Sequence, residues 1–182
     1  MKQQPANCRD FLQRSVAVAG LTILPAWVTQ ASAKAPLAGS QVISVHRMKL
    51  GSFEVTTMLD GFIDIPPAVL QADPSLVKSL LTAGGWPESP MRLPVNTFLV
   101  NTGDKLVLLD AGGAKMLGPT AGRLPQCLAA AGITPADIDE IYITHMHGDH
   151  LHGTVSPDGS AMFPHAVLRI AKNDLDYWVT RR

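Results

Sequence analysis

Cysteine is nearly missing from this sequence: the 182 residues hold two, Cys8 and Cys127. Cys8 precedes an apolar run near the amino terminus, so once a leader is removed a single thiol remains and no internal disulfide can form in any compartment. Aromatic residues are few, at 5%, and neither sign of charge dominates, with 15 basic and 15 acidic side chains. No block of Lys and Arg interleaved with aromatics is present, so composition leaves no footprint for nucleic acid. There is no G-x-S-x-G segment to carry a serine nucleophile. The apolar run Val16 to Trp27 is too short for a permanent membrane span, which needs about 20 residues.

What is present is enough apolar sequence, 46%, for one sizeable core and hardly two. Residues 1–33 follow the grammar of a signal peptide: Lys2, Arg9 and Arg14, then Val16 to Trp27, then Ala31-Ser32-Ala33 as a cleavage site. Cys8-Arg9-Asp10-Phe11-Leu12-Gln13 reads as a degenerate twin-arginine motif. The expectation is cleavage after Ala33, a domain over residues 34–182, and a periplasmic or secreted destination. The partner expected is a small molecule, with no nucleic acid and no stable membrane insertion after cleavage; a homodimer is left open.

Along the domain, Val42 to Leu50 and Phe53 to Leu59 flank Gly51-Ser52 and predict a β-hairpin. Asp73-Pro74 supplies an N-cap and a first-turn proline for a helix through Leu81. Gly84 to Pro94, with three prolines and two glycines, reads as a loop. Phe98 to Val100 and Leu106 to Leu109 predict a second hairpin, apolar enough to be buried on both faces. A helix is expected within Pro119 to Ala131, bent at Pro125 and stopped at Gly132, and another opens at Thr134-Pro135. Strands follow at Ile141 to Ile143 and Ala166 to Ala171, then a helix over Asn173 to Thr180. Strand pairs followed by strand and helix in alternation make an α+β or layered α/β pattern. Cys127, in an Ala/Leu-rich stretch, reads as a buried small hydrophobe.

The chemistry concentrates in His145-Met146-His147-Gly148-Asp149-His150. On extended backbone leaving a strand, residues i and i+2 point the same way, so His145 and His147 can reach one ion. Asp149 and His150 follow within one turn and can reach a second. Imidazole nitrogen with carboxylate oxygen suits zinc and tolerates iron, manganese or cobalt. Gly148 allows the tight turn that brings four donors together. The competing reading is a polar surface loop that happens to hold histidines, and the fixed offsets of four ligand-type residues weigh against it.

Thr144 to His150 resembles the metal-binding signature of the metallo-β-lactamase superfamily. The surrounding sequence is similar to its methyl parathion hydrolase-like and quorum-quenching lactonase-like members. That similarity runs through Arg47 to Val55, Phe98 to Gly103, Leu106 to Gly112 and Tyr177-Trp178. It implies an α+β, four-layer αββα fold and two divalent metal ions, zinc first. His145 and His147 would bind one ion, and Asp149 and His150 the other, with Asp149 also counted as catalytic. A metal-bridging hydroxide would attack a lactone, ester or phosphotriester. The resemblance gives Asp110, in an Asp-x-Gly turn, the task of orienting a ligand histidine, against a plain turn cap. It sets Trp178 in the substrate pocket, with Leu117 in place of a phenylalanine there; His152, where relatives have a glycine, reads as a spare ligand or a substrate-facing side chain, against a solvated loop histidine. His46 and His165 read as structural.

The superfamily completes its site with further ligands downstream of this motif. After His150 the chain offers His152, His165, Asp158, Asp174 and Asp176, none in the expected context. The expectation is therefore the N-terminal portion of the fold, truncated. The alternatives are an inactive fragment with an incomplete metal site, or a thiol-ester hydrolase or iron dioxygenase on the same fold.

Overall fold

Gly51, at φ +62°, turns β1 (Val45–Leu50) back onto β2 (Phe53–Ile65), with Leu50 opposite Phe53. A left-handed φ at this point suits glycine, which has no Cβ to clash. The computed structural model describes residues 37–180; the expected signal peptide, residues 1–33, lies outside them. Residues 37–40 carry no strand or helix, and the described residues from 41 onward cluster as one compact unit.

That unit is built on a six-stranded sheet in sequence order, completed by β3 (Met91–Asn101), β4 (Leu106–Leu109), β5 (Glu140–Ile143) and β6 (Val167–Ile170). The first four strands pair antiparallel; β5 joins β4, and β6 joins β5, in parallel. Parallel pairing needs a crossover. The crossover from β4 to β5 carries α2 (Leu124–Ala130), after α1 (Pro74–Ala83) earlier in the chain. Asp73 caps α1 by accepting from the Ser75 and Leu76 amides at 2.7 and 3.2 Å, with Pro74 in the first turn.

The core fills the space between one sheet face and α2. Met58, Leu99, Leu108, Ile141 and Ile143 meet Leu124, Cys127 and Leu128, with Phe163 closing one side. Cys127 is fully buried, as its Ala/Leu-rich context predicts, and burial pushes its thiol pKa up. The strand register puts Met48, Phe53, Phe98, Tyr142 and Val167 on the opposite face. There they stay exposed, Phe98 at 39% and Tyr142 at 42%.

Several expectations change here. The second hairpin is buried on one face, because α2 covers that face and the described residues leave the other open. Strand β2 does not stop at Leu59 but runs to Ile65 through a register shift between Leu59 and Gly61. The last residues of the expected 84–94 loop then pair with it: Met91 opposite Ile65 and Pro94 opposite Phe62. The α2 helix starts at Leu124, with Pro125 in its first turn rather than at a bend. Residues 119–123 stay out of the helix because β2 holds them: the Phe62 amide donates to the Thr120 carbonyl at 3.3 Å, and Thr120 Oγ1 donates to the Phe62 carbonyl at 2.8 Å. Of the four layers implied by the resemblance, the described residues build one sheet and the helical cover of one of its faces.

Candidate metal centre

The parallel strands β4 and β5 end side by side, and the loops leaving them hold the ligand-type residues. Beyond β4, Asp110 adopts φ +58°, a conformation that costs a non-glycine residue and persists where its surroundings fix it. Its amide donates to the Tyr142 carbonyl at 2.9 Å. Its carboxylate, 8% exposed, accepts from the Thr144 amide at 2.8 Å and from Thr144 Oγ1 at 2.9 and 3.1 Å. Oδ2 also lies 2.8 Å from His150 Nδ1. Two backbone bonds lace the same loops together: Ala111 N to the His150 carbonyl at 2.8 Å and Gly153 N to the Gly112 carbonyl at 3.0 Å. Gly153 permits this approach, since a Cβ there would sit 1.8 Å from the Ala111 oxygen.

Beyond β5, His147 has extended backbone, φ −72° and ψ 154°, and opens the one-turn helix α3 (Gly148–Leu151). His145 Nε2 lies 3.2 Å from His147 Nδ1. On the helix, His150 Nε2 lies 3.3 Å from Asp149 Oδ2, and the His145 and His150 rings are 4.0 Å apart between centroids. All four residues named from the sequence therefore converge in two pairs.

Both pairs fit a metal by chemistry and spacing. Two donors each about 2.0–2.2 Å from one tetrahedral zinc are separated by roughly 3.3–3.5 Å, close to the 3.2 and 3.3 Å seen here. Asp110 accepts from His150 Nδ1, and in the neutral ring this leaves the Nε2 lone pair on the side facing Asp149. No group of three or more His, Cys, Asp or Glu side chains among the described residues is arranged to hold an ion. Each pair would supply two of the four donors that a zinc ion usually takes.

The three substrate-pocket residues separate. Trp178 stands edge-on to His147, ring centroids 6.0 Å apart and planes at 85°. Leu117 packs on Gly113, where a Cβ would meet its Cδ1 at 2.2 Å and the Asp149 Cα at 3.3 Å. His152 lies instead on the wall of a cavity that neither Trp178 nor Leu117 lines. His165 Nδ1 lies 3.1 Å from the Ala136 carbonyl, away from the cluster.

Sequence reasoning missed Asp60. It is fully buried, and its carboxylate accepts from the amides of Leu124 at 2.9 Å, Gly113 at 3.1 Å and Gly122 at 3.2 Å. It thereby fixes the segment from Gly113 to the start of α2 that runs behind the metal loop. The available signal was an Asp-Gly pair inside an apolar alternation that resumes at Phe62-Ile63. Next to it Gly61 leaves room for the crossing chain, because a Cβ there would lie 2.2 Å from the Thr120 oxygen.

Residues 90–155, which contain the whole cluster, match the model of the metallo-beta-lactamase superfamily. That stretch of the chain is similar to a metallo-beta-lactamase superfamily domain. Among solved structures the domain is similar to AidC, described as a dizinc quorum-quenching lactonase bound to a product: 27% identity, TM-score 0.73, covering 77% of this chain and 49% of that one. It is also similar to the hydrolase AbOPH of the beta-lactamase superfamily, at 30% identity and TM-score 0.71, covering 77% and 48%. Among curated proteins, the lactamase-like protein notP of an Aspergillus species is 32% identical over 111 residues, 59% of this chain and 32% of that protein. The atrochrysone carboxyl ACP thioesterase nsrC of Aspergillus novofumigatus is 31% identical over 110 residues, 60% and 31%. The chain spans about a third of the length of these curated relatives and about half that of the solved neighbours. The α+β fold and the superfamily resemblance read from the sequence both hold.

Proposed function

We propose that this domain supplies four ligands of a dinuclear zinc centre in a hydrolase acting on a small lactone, ester or phosphotriester. His145 and His147 would hold one ion, and Asp149 and His150 the other. The observation that carries the reading is the setting of His150, whose Nδ1 is committed to Asp110 at 2.8 Å while Nε2 lies 3.3 Å from Asp149. Such ions, when bound, polarise a carbonyl or phosphoryl oxygen and make water more acidic.

The chain's own groups have separable tasks. Asp110 fixes the tautomer and angle of His150, and Thr144, bonded to the same carboxylate, ties the start of the loop to it. Trp178 gives an apolar wall beside His147, and Leu117 one beside Asp149, for the substrate part that does not react. Zinc and a lactone substrate are supported by the likeness to AidC. Thiol-ester hydrolysis is the second reading, favoured by the likeness to an ACP thioesterase. The proposal includes export through residues 1–33, with Lys34 as the first residue found when the mature amino terminus is sequenced.

Calorimetric zinc titration of the 182-residue chain tests the metal reading. Saturable binding is expected, and His147→Ala should weaken it by more than about tenfold. Equal affinity in the two chains would overturn the ligand assignment. A panel of lactone, phosphotriester and thioester, each with and without chelator, separates the substrate classes. A single bound iron with oxygen uptake would sink the hydrolase reading.

A further inference from the structure

A cavity of about 420 Å³ lies behind the metal loop, within the range of roughly 300–1,000 Å³ typical of ligand pockets. None of His145, His147, Asp149 and His150 lines it, so it is a separate compartment from the imidazole cluster. Leu124, Leu128, Met162 and Phe163 give it apolar walls, and Lys115, Gln126 and His152 are its exposed polar side chains. Asp60, the acid in the lining, has its oxygens engaged by three backbone amides. The Lys115 ammonium enters no hydrogen bond or ion pair among the described residues. The compartment thus pairs an apolar interior with one uncommitted ammonium at its edge.

We propose that this cavity binds an aliphatic carboxylate, with the chain against Leu124, Leu128 and Phe163 and the carboxylate at Lys115. Burying a chain of several methylenes supplies the affinity, and the exposed cation supplies the preference for an anionic head. The site is also in touch with the metal loop. Met116 lines the cavity, and its methyl carbon lies 2.5 Å from where a Cβ on Gly148 would stand. A seated chain therefore presses on the side chain that backs the turn between His147 and Asp149. This inference does not depend on the metal reading.

The test is calorimetric titration of the full chain with octanoate and with octan-1-ol, in chelator so that no carboxylate binds through a metal ion. Saturable one-to-one octanoate binding is expected. Val155→Trp, at a half-exposed position of the lining, should weaken it by about tenfold or more. Met116→Trp serves as a second plug should the first variant fail to unfold cooperatively. Lys115→Met should weaken octanoate by about threefold to fivefold, the upper part of the range for one exposed charge pair, and leave octan-1-ol unchanged. Absence of saturable octanoate binding, or equal affinity in the plugged chains, overturns the site. Equal weakening of both ligands by Lys115→Met overturns the carboxylate assignment.

Discussion

Two buried aspartates organise the loops around the proposed metal centre, and they are finished differently. Around Asp60 both oxygens are taken by backbone amides, those of Gly113, Gly122 and Leu124, so the carboxylate closes on itself and presents nothing outward. Around Asp110 the Thr144 amide and hydroxyl take part of the capacity, and the remainder grips His150 through Nδ1. The imidazole relays that grip to its far edge, next to Asp149. The segment 110–113 joins the two hubs, since Gly113 bonds to Asp60. The difference separates stability from chemistry: a saturated carboxylate fixes a loop, whereas one that holds a histidine sets the direction of a ligand.

The comparison breaks most visibly at Asp60. Asp60→Ala leaves three amides, two of them buried, without acceptors and should cost about 3–5 kcal/mol of unfolding free energy in urea titration. A loss under about 1 kcal/mol would mean that the loops hold themselves. Asp110→Asn keeps the volume and changes the group facing His150; zinc affinity should fall about 10–100-fold, with a smaller loss of stability than at Asp60. If Asp110→Asn costs as much stability as Asp60→Ala and leaves zinc affinity unchanged, the two hubs do the same job.

The smallest effect is expected at a third carboxylate, Glu140 on the open sheet face. Arg169 Nε at 2.6 Å, and then Lys105, hold its pKa at about 2 instead of 4.5. A depressed carboxylate pKa favours the fold fully above pH 4.5, and the contribution is lost as pH falls from there through about 2. Glu140→Gln should flatten the stability profile across that acid window and leave the shape of the curve above it unchanged, as read by thermal unfolding at stepped pH. An unchanged acid limb would show that this ion pair, like many half-exposed ones, contributes nothing measurable.

Much of the sheet was legible from local pattern. The alternation after Phe53, the turn at Gly51-Ser52, the cap at Asp73-Pro74 and the apolar stretches at Leu106 and Ile141 all form the elements they predict. The misses share a cause. Pro94 and Met91 look like loop residues, and join a strand because β2 extends past its bulge to meet them. Residues 119–123 have helical neighbours but are captured by Phe62 and by Asp60, which lie far away in sequence. Propensity is a local quantity, and these outcomes were set by long-range hydrogen bonds.

The metal loop divides in the same way. Its ligand types and offsets, His145, His147, Asp149 and His150, are written in six consecutive residues, because a short extended stretch followed by one helical turn is enough to gather four donors. Which nitrogen of His150 faces Asp149 was decided by Asp110, 40 residues earlier, once β4 and β5 paired in parallel and brought the two loops together. The placing of His152 on a cavity wall, away from Trp178, and the role of Asp60 were likewise decided in three dimensions. A sequence determines which donors lie near one another along the chain, but the direction of a side chain depends on the partner that packing delivers to it.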